Sequence, residues 1–319
     1  MAFWRVSDDL SAETPRQSGR FAAKLSEMFG HEIHLYAATS DGARRLDLPR
    51  DTVDLHAVLD DAPLGIYEGF RTFEHGRFLR LERHLDRAQA SLRATGRERV
   101  LDRGTIHRAL QQAADEWKGE NCRIRLDVLD APALALGHDG DILFVLSDQP
   151  ARDPEIMENG VRVGVARGMR RDQPRAKTAQ WVVDRRACSP EYYENLLLDT
   201  EDRVLECTSS NFFAVRDGTL ITAPDGVLEG VTRGVALDVA RELEIPREHC
   251  RLPLDELGQV DEAFLSSASR GLIPIVEIAG RPVGDGRPGP THRRLFDAAK
   301  RLVEREARPA WPQHDTTSA

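Results

Sequence analysis

Of the four lysines in this 319-residue chain, Lys177 alone sits in a motif that suggests chemistry. Lys24, Lys118 and Lys300 fall in stretches rich in Ala, Leu, Glu and Arg that read as amphipathic helices. Lys177 lies instead in RAKTAQWVVDRRA, just beyond the strand-like VRVGVA. Arginine stays protonated and cannot form a Schiff base, whereas burial can lower the pKa of a lysine until its amine is nucleophilic. Glu206 follows in VLECTSSNFF, and Thr232 in VLEGVTRGVAL. A lysine, a carboxylate and a helix start supply what a pyridoxal phosphate site needs: an aldehyde anchor, a partner for the pyridinium nitrogen and a phosphate cradle.

Each residue type also has a plainer use. Glu206 alternates with Val204 in a strand-like segment, where it is either a solvent-facing edge glutamate or a carboxylate turned toward a core, which must be paired. In VLEGVTRGVAL, the Val231 and Thr232 amides and the Thr232 hydroxyl are placed to hold a phosphate, or Thr232 is a simple N-cap. Arg87 in RHLDRAQASL can grip a phosphate through two parallel hydrogen bonds, or pair on the surface with Glu82 or Asp86. GDGRPG at 284–289 matches the spacing of a dinucleotide loop, but Pro288 and Pro290 interrupt the helix it would need, so it reads as a loop. HEIH at 31–34 lacks a third ligand and helical spacing, and no metal site is expected. No nucleophile-elbow or triphosphate-loop motif is present.

The elements that must position these groups follow from periodicity. RQSGRFAAKLSEMFG places Phe21, Leu25, Met28 and Phe29 on one helical face. HEIHLYAATSDGARRLDL reads as a hairpin around Asp41-Gly42, and GIYEGFRTFEHGRFLRL as a second, turning at His75-Gly76. Helices are expected over ERHLDRAQASLRATG and from Thr105 to Trp117, then strands at RIRLDVL and ILFVLS. In RIRLDVL, Ile124, Leu126 and Val128 share one face and Arg123, Arg125 and Asp127 the other. Hairpins alternating with helices argue for an α+β domain rather than a doubly wound sheet. A linker is expected near 148–155 in SDQPARDP. Beyond it lie strands VRVGVA, ENLLLDT and RVLEC and the hairpin NFFAVRDGTLIT. A helix from Thr232 to Leu243 comes next, then strands EAFLSS and IVEIA, and a helix from Thr291 to Glu306. RPAWPQHDTTSA reads as a frayed tail.

At 319 residues the chain has room for two domains, with 40% hydrophobic and 30% charged residues typical of a folded soluble protein. A net charge of −9 argues against nucleic acid as the main ligand. No apolar run approaches the roughly 20 residues of a membrane span, and no secretory signal is recognisable. The cytoplasm is the expected setting. Four cysteines without paired spacing read as reduced thiols.

Taken in order, GIYEGFRTFEHGRFLRLERHLDRAQASL, AKTAQW, VLECTSSNFFAVRDGTLITAP, LEGVTRGVALDVARELEI and FLSSASRGLIPIVEIAGRPVGDGRPGP resemble the fold-type IV pyridoxal-phosphate enzymes, the class IV aminotransferases. These include branched-chain and D-amino acid aminotransferases, aminodeoxychorismate lyase and R-selective amine transaminases. The resemblance covers roughly residues 61 to 305 and implies an α/β (α+β) fold in two domains. A smaller N-terminal α+β domain over 1–150 would precede a strand-rich cofactor domain over 156–310, with a tail at 311–319. Residues 1–60 match poorly.

Residue by residue, the resemblance makes Lys177 the Schiff-base lysine and Glu206 the pyridine-nitrogen carboxylate. Arg87 becomes the phosphate arginine, and Val231 and Thr232 the phosphate-binding helix start. Tyr67 would line the substrate pocket. Ala268 falls where relatives carry a phosphate-binding threonine, so Ser267, Ser269 or a backbone amide must serve. Arg125 falls where a strand arginine of branched-chain enzymes reaches the side-chain acid of glutamate; the alternative for that face is solvent. Val182 replaces a tyrosine of the branched-chain enzymes, and LDAPALALGH lacks the arginine-histidine pair of D-amino acid enzymes. The implied activity is transfer of an amino group between an amino acid or amine and a 2-oxo acid, in a homodimer using pyridoxal phosphate. A lyase of the aminodeoxychorismate type is the alternative, and a non-catalytic protein that has kept the fold a more distant one.

Overall fold

The computed structural model describes residues 32–48, 57–60, 62–149 and 153–311. The helical face expected for Phe21, Leu25, Met28 and Phe29 lies outside them, as do residues 150–152 of the expected linker. The described residues form a mixed α/β fold built on two sheets.

The first sheet uses β1 (Ile33–Thr39), β2 (Gly42–Leu46), β3 (Gly65–Phe73), β4 (Arg77–Phe78), β5 (Cys122–Leu129) and β6 (Ile142–Asp148). Its pairings are antiparallel throughout, as the hairpin signals anticipate. The β3–β4 turn has positive φ at Glu74, His75 and Gly76. Helices α1 (Leu81–Ala94) and α2 (Arg103–Asp115) cover one face. Leu81, Leu85, Ala88 and Leu92 recur at helical spacing and pack with Ile106 and Leu110 onto Ile124, Leu126 and Val128. Each such buried aliphatic side chain contributes about 1.5–3 kcal/mol of transfer free energy. Helix α2 begins two residues earlier than expected, because Asp102 caps it by accepting from the Thr105 amide at 3.1 Å.

After the short α3 (Pro154–Asn159) comes the second sheet: β7 (Val161–Val165), β8 (Glu194–Leu198), β9 (Val204–Cys207), β10 (Asn211–Arg216), β11 (Thr219–Thr222), β12 (Arg247–His249), β13 (Glu262–Ser267), β14 (Gly271–Ile278) and β15 (Arg281–Pro282). It mixes parallel pairs, β14 with β7, β7 with β8 and β11 with β12, among antiparallel ones. The short α4 (Gln180–Asp184), which periodicity did not reveal, follows Lys177 directly. Helices α5 (Val231–Glu242) and α6 (Pro290–Glu306) pack Val235, Val239, Leu295 and Leu302 against Phe213 and Phe264. The GDGRPG segment is a loop before α6, with positive φ at Gly284 and Gly286.

The expected frayed tail is corrected at its start. Arg308–Pro309 forms β16, antiparallel to β4, and the Ala310 amide donates to Gln111 Oε1 at 2.6 Å. The C-terminal end of the described chain thereby returns to the first sheet, at the edge where a proline costs no ladder hydrogen bond. Among the described residues, no helix is long and apolar enough to cross a membrane, and no group of three or more His, Cys, Asp or Glu could hold a metal ion.

Candidate active site

Lys177 is held beside the first sheet by its backbone. Tyr67 N donates to the Lys177 carbonyl at 2.9 Å and Ala179 N to the Gly65 carbonyl at 2.8 Å, so residues 177–179 run antiparallel along the start of β3. From α1, the buried Ser91 hydroxyl accepts the Lys177 amide at 3.0 Å. A Cβ on Gly65 would strike the Val128 carbonyl oxygen at 2.1 Å, so this crossing requires glycine. Trp181 fixes the next turn by donating to the Thr208 carbonyl at 2.7 Å.

The Lys177 ammonium nitrogen lies 4.6 Å from the Tyr67 ring centroid, and the Arg125 guanidinium carbon 4.9 Å from it. Burial lowers the pKa of Lys177, and the neighbouring Arg87 and Arg171 charges add to this, which favours the free amine. Burial alone would raise the pKa of Tyr67. Lys177, Arg185, Arg171 and Arg125 outweigh it and bring the phenol down to about 8. Tyr36, buried beside Glu116, is pushed up to about 12. In the cofactor-free protein, one of the four tyrosines is therefore expected to ionise near pH 8 in an ultraviolet phenolate titration, and Tyr67→Phe should remove that step. A titration unchanged by Tyr67→Phe would contradict the assignment. Because this folded-state pKa lies below the ordinary value, the phenolate's contribution to stability is full only above about pH 10 and is lost as pH falls through about 8.

Glu206 is buried on β9, not solvent-facing. Its Oε2 accepts from Asn211 Nδ2 at 3.1 Å and from the Leu228 amide at 3.2 Å. Arg171 Nε lies 3.1 Å from Oε1, an ion pair without hydrogen-bond alignment, and Oε1 has no hydrogen-bond partner. Burial raises the pKa of Glu206 in spite of Arg171. Neither Arg171 nor Asn211 was singled out from the sequence. Arg171 lay in a basic cluster that is ordinary by composition, and Asn211 stood inside the SSNFF motif with no role attached.

Helix α5 starts at Val231 with Gly230 as N-cap and no capping side chain. A Cβ on Gly230 would lie 2.0 Å from Asn211 Oδ1. The first amides of α5, Val231 and Thr232 among them, lack intrahelical acceptors, the condition under which a helix start can meet an anion. Ser266 Oγ, buried and without a hydrogen-bond partner, lines the same small cavity as Arg87, Lys177, Glu206 and Thr232. Ser266 is thus a hydroxyl that the sequence reading passed over in favour of Ser267 and Ser269. Ser267 Oγ accepts from Arg270 Nε at 3.0 Å, and Ser269 lines the adjoining larger cavity.

Arg87 differs from a simple phosphate ligand. Its Nε and Nη2 donate to Glu68 at 2.9 and 2.5 Å, and Nη1 donates to the Glu229 carbonyl at 3.0 Å. Glu68 is fully buried and also meets His84 Nδ1 at 3.0 Å. Burial works against its charge, but the Arg87 pair and its hydrogen bonds hold Glu68 at about 2. The alternative of a surface pair with Glu82 or Asp86 is excluded, since those carboxylates bind Arg103. Arg87→Ala would strand the Glu68 charge, and breaking a buried pair from one side typically costs about 3–5 kcal/mol.

Two cavities meet at Lys177. The smaller is the one lined by Arg87, Glu206 and Thr232. The larger, about 460 Å³, is lined by Tyr67, Arg125 and Ser269, and both include Gly69, Lys177, Ser209, Ser267 and Ala268. The solvent alternative for Arg125 is overturned: it is 5% exposed and bound in two places to the buried Asp127, at 2.8 and 2.7 Å. The smaller cavity fits pyridoxal phosphate by the chemistry of its donors. Among the groups that line it are a buried carboxylate with an oxygen lacking a hydrogen-bond partner, an uncapped helix start, a spare serine hydroxyl and an amine of lowered pKa.

Lys177, its pKa lowered by burial, lines one cavity with the buried Glu206 and the uncapped start of α5, a set of groups suited to amino-group transfer. The family model for class IV amino-transferases matches residues 65–278, and the chain belongs to that family. It is similar to a probable branched-chain-amino-acid aminotransferase of Thermotoga maritima, 29% identical over 73% of this chain and 84% of the relative. A D-alanine aminotransferase of Listeria innocua is 26% identical over the same shares. Among solved structures, the branched-chain amino acid aminotransferase of Escherichia coli aligns with a TM-score of 0.68, at 22% identity, covering 90% of this chain and 97% of that one. That last likeness concerns the fold.

Proposed function

We propose that this protein is a pyridoxal-phosphate-dependent aminotransferase that moves an amino group between an amino acid or amine and a 2-oxo acid. The observation carrying the reading is the position of Lys177 in the lining of both cavities, with its pKa lowered by burial. When bound, pyridoxal phosphate supplies an aldehyde that exchanges with amines and a ring that draws electrons from the substrate carbon. The Val231 and Thr232 amides, Ser266 and the part of Arg87 not committed to Glu68 would hold its phosphate. Glu206, steadied by Arg171 and Asn211, would hold a proton at the ring nitrogen.

On the chain's side of the chemistry, Lys177 Nζ would be the amine that anchors the cofactor through its aldehyde and, once displaced by the incoming amino group, would accept the proton of the amino-bearing carbon and hand it on to the cofactor instead of back to that carbon. Tyr67 and Arg125 form the wall against which that carbon is placed. Small-molecule donor and acceptor and a homodimer belong to the same reading by family resemblance, and a cytoplasmic setting by the lack of a recognisable signal or membrane span in the sequence.

The test follows nitrogen. With an isotope-labelled amino donor and an unlabelled 2-oxo acid, the label is expected in the amino acid formed from the acceptor. Label kept on an elimination product of the donor or released as ammonia, or retained by an unchanged donor, would replace the aminotransferase reading with the lyase or the non-catalytic one.

A further inference from the structure

The smaller cavity is built across a joint. Gly69 and Arg87 reach it from the first sheet and its helices, whereas Glu206, Thr232 and Ser266 reach it from the second. On α1, His84, Arg87 and Ser91 recur at helical spacing along one face and contact Glu68, the Glu229 carbonyl and the Lys177 amide. Helix α5 adds Thr232 from its uncapped start. Whatever fixes α1 against α5 therefore sets the distance between Arg87 and the Val231 and Thr232 amides.

Arg80, the residue just before α1, makes this connection. Its Nη1 donates to Asp238 on α5 at 2.7 Å, and its Nε and Nη2 donate to the two oxygens of Glu306, the last residue of α6, at 2.8 and 3.3 Å. Nη1 would also lie 3.9 Å from a Cβ on Gly234, in the first turn of α5. An exposed ion pair contributes little, but this side chain is 21% exposed and grips one carboxylate in two places, the geometry in which arginine pairs are strong. Arg87 and Arg80 thus tie α1 to the α5 segment at two points, the Glu229 carbonyl just before the helix and Asp238 about two turns along it. Arg80 has φ of 51° and ψ of 43°, so a long cationic side chain is kept where glycine would fit with less strain.

We propose that Arg80 is a positioning residue for the cofactor's phosphate: by bracing α1 against α5, it holds Arg87 and the first α5 amides at the separation a phosphate needs. Arg80 itself is not among the groups lining the cavity. The inference rests on the reading that the smaller cavity receives pyridoxal phosphate. A site whose supporting groups leave it about 1 Å too loose loses function, and two halves carried on separate sheets are open to such drift unless braced. Asp238 is the more consequential partner, because α6 is also tied to the first sheet by another route. The Ala307 carbonyl accepts from Arg77 Nε and Nη2 at 3.1 and 2.9 Å, and β16 pairs with β4.

Binding tests this without turnover. Cofactor-free protein would be titrated with pyridoxal phosphate and, separately, with pyridoxal, which has the aldehyde and the ring but no phosphate. R80G relieves the left-handed backbone and removes the guanidinium, so a role confined to the turn predicts unchanged or better binding. Under the proposal, R80G raises the Kd for pyridoxal phosphate about tenfold, the scale of one weakened charge-assisted contact, and leaves the Kd for pyridoxal within about twofold. D238A should reproduce this selective loss and E306A show less of it. Both keep Arg80 and its backbone, so they carry the comparison even where R80G does not fold. R241Q, which removes another partner of Asp238, should bind both ligands as the unaltered protein does. Equal weakening of both ligands in D238A or a folded R80G, or no weakening of pyridoxal phosphate, would overturn the inference. An unaltered protein that binds no pyridoxal phosphate would remove the cofactor reading itself, and this inference with it.

Discussion

Lys177→Ala is expected to lower the transamination rate about 10⁴-fold, the upper end of what one positioned acid-base group contributes, while the protein remains folded. The loss follows from removing the amine that lies 4.6 Å from the Tyr67 ring centroid and borders both cavities. Folding should survive, because what fixes this segment is backbone: the Lys177 amide to Ser91 and its carbonyl to Tyr67. No salt bridge from the Lys177 side chain is seen among the described residues, and burial lowers its pKa, so its removal breaks no strong ion pair. Steady-state kinetics with a thermal unfolding curve would check both halves. Near-normal turnover in a folded Lys177→Ala protein would refute the assignment.

Glu206→Gln is expected to lower kcat by about 10²–10³-fold, the usual scale for losing one preorganised electrostatic contact. An amide is nearly the same shape, and Asn211 and the Leu228 amide can still donate to its oxygen. It cannot carry the negative charge that holds a proton on a ring nitrogen, nor the ion pair with Arg171. The variant should therefore bind cofactor nearly normally and turn over poorly. An absorbance titration of cofactor beside initial rates separates the two effects. A variant that loses cofactor and activity in parallel would make Glu206 part of the binding framework instead.

The parts of this architecture readable in the sequence are those set by local pattern. Asp41-Gly42, His75-Gly76 and Asp217-Gly218 announce turns because they tolerate positive φ, and the hairpins form there. Ile124, Leu126 and Val128 declare the inward face of β5 by alternation. Lys177 stood out because lysine is scarce. What periodicity could not show depends on distant partners. It left Arg125 between solvent and cavity, since the deciding facts are a stacked Tyr67 and a buried Asp127. It gave no hint that Glu68 would claim Arg87, because the pairing joins β3 to α1 through a buried contact. Ser266 was passed over for Ser267 and Ser269, since strand direction at the end of β13 decides which hydroxyl enters the smaller cavity. Arg308–Pro309 looked like tail because the strand it joins lies more than two hundred residues earlier.

The Lys177 amine, and no other lysine, is proposed to carry the cofactor's chemistry. Borohydride reduction of the loaded protein, followed by proteolysis and mass spectrometry of the peptides, tests it most directly. A single reduced pyridoxyl group is expected on the peptide containing Lys177, absent after Lys177→Ala. A stable adduct on Lys24, Lys118 or Lys300, or none on any lysine, would contradict it.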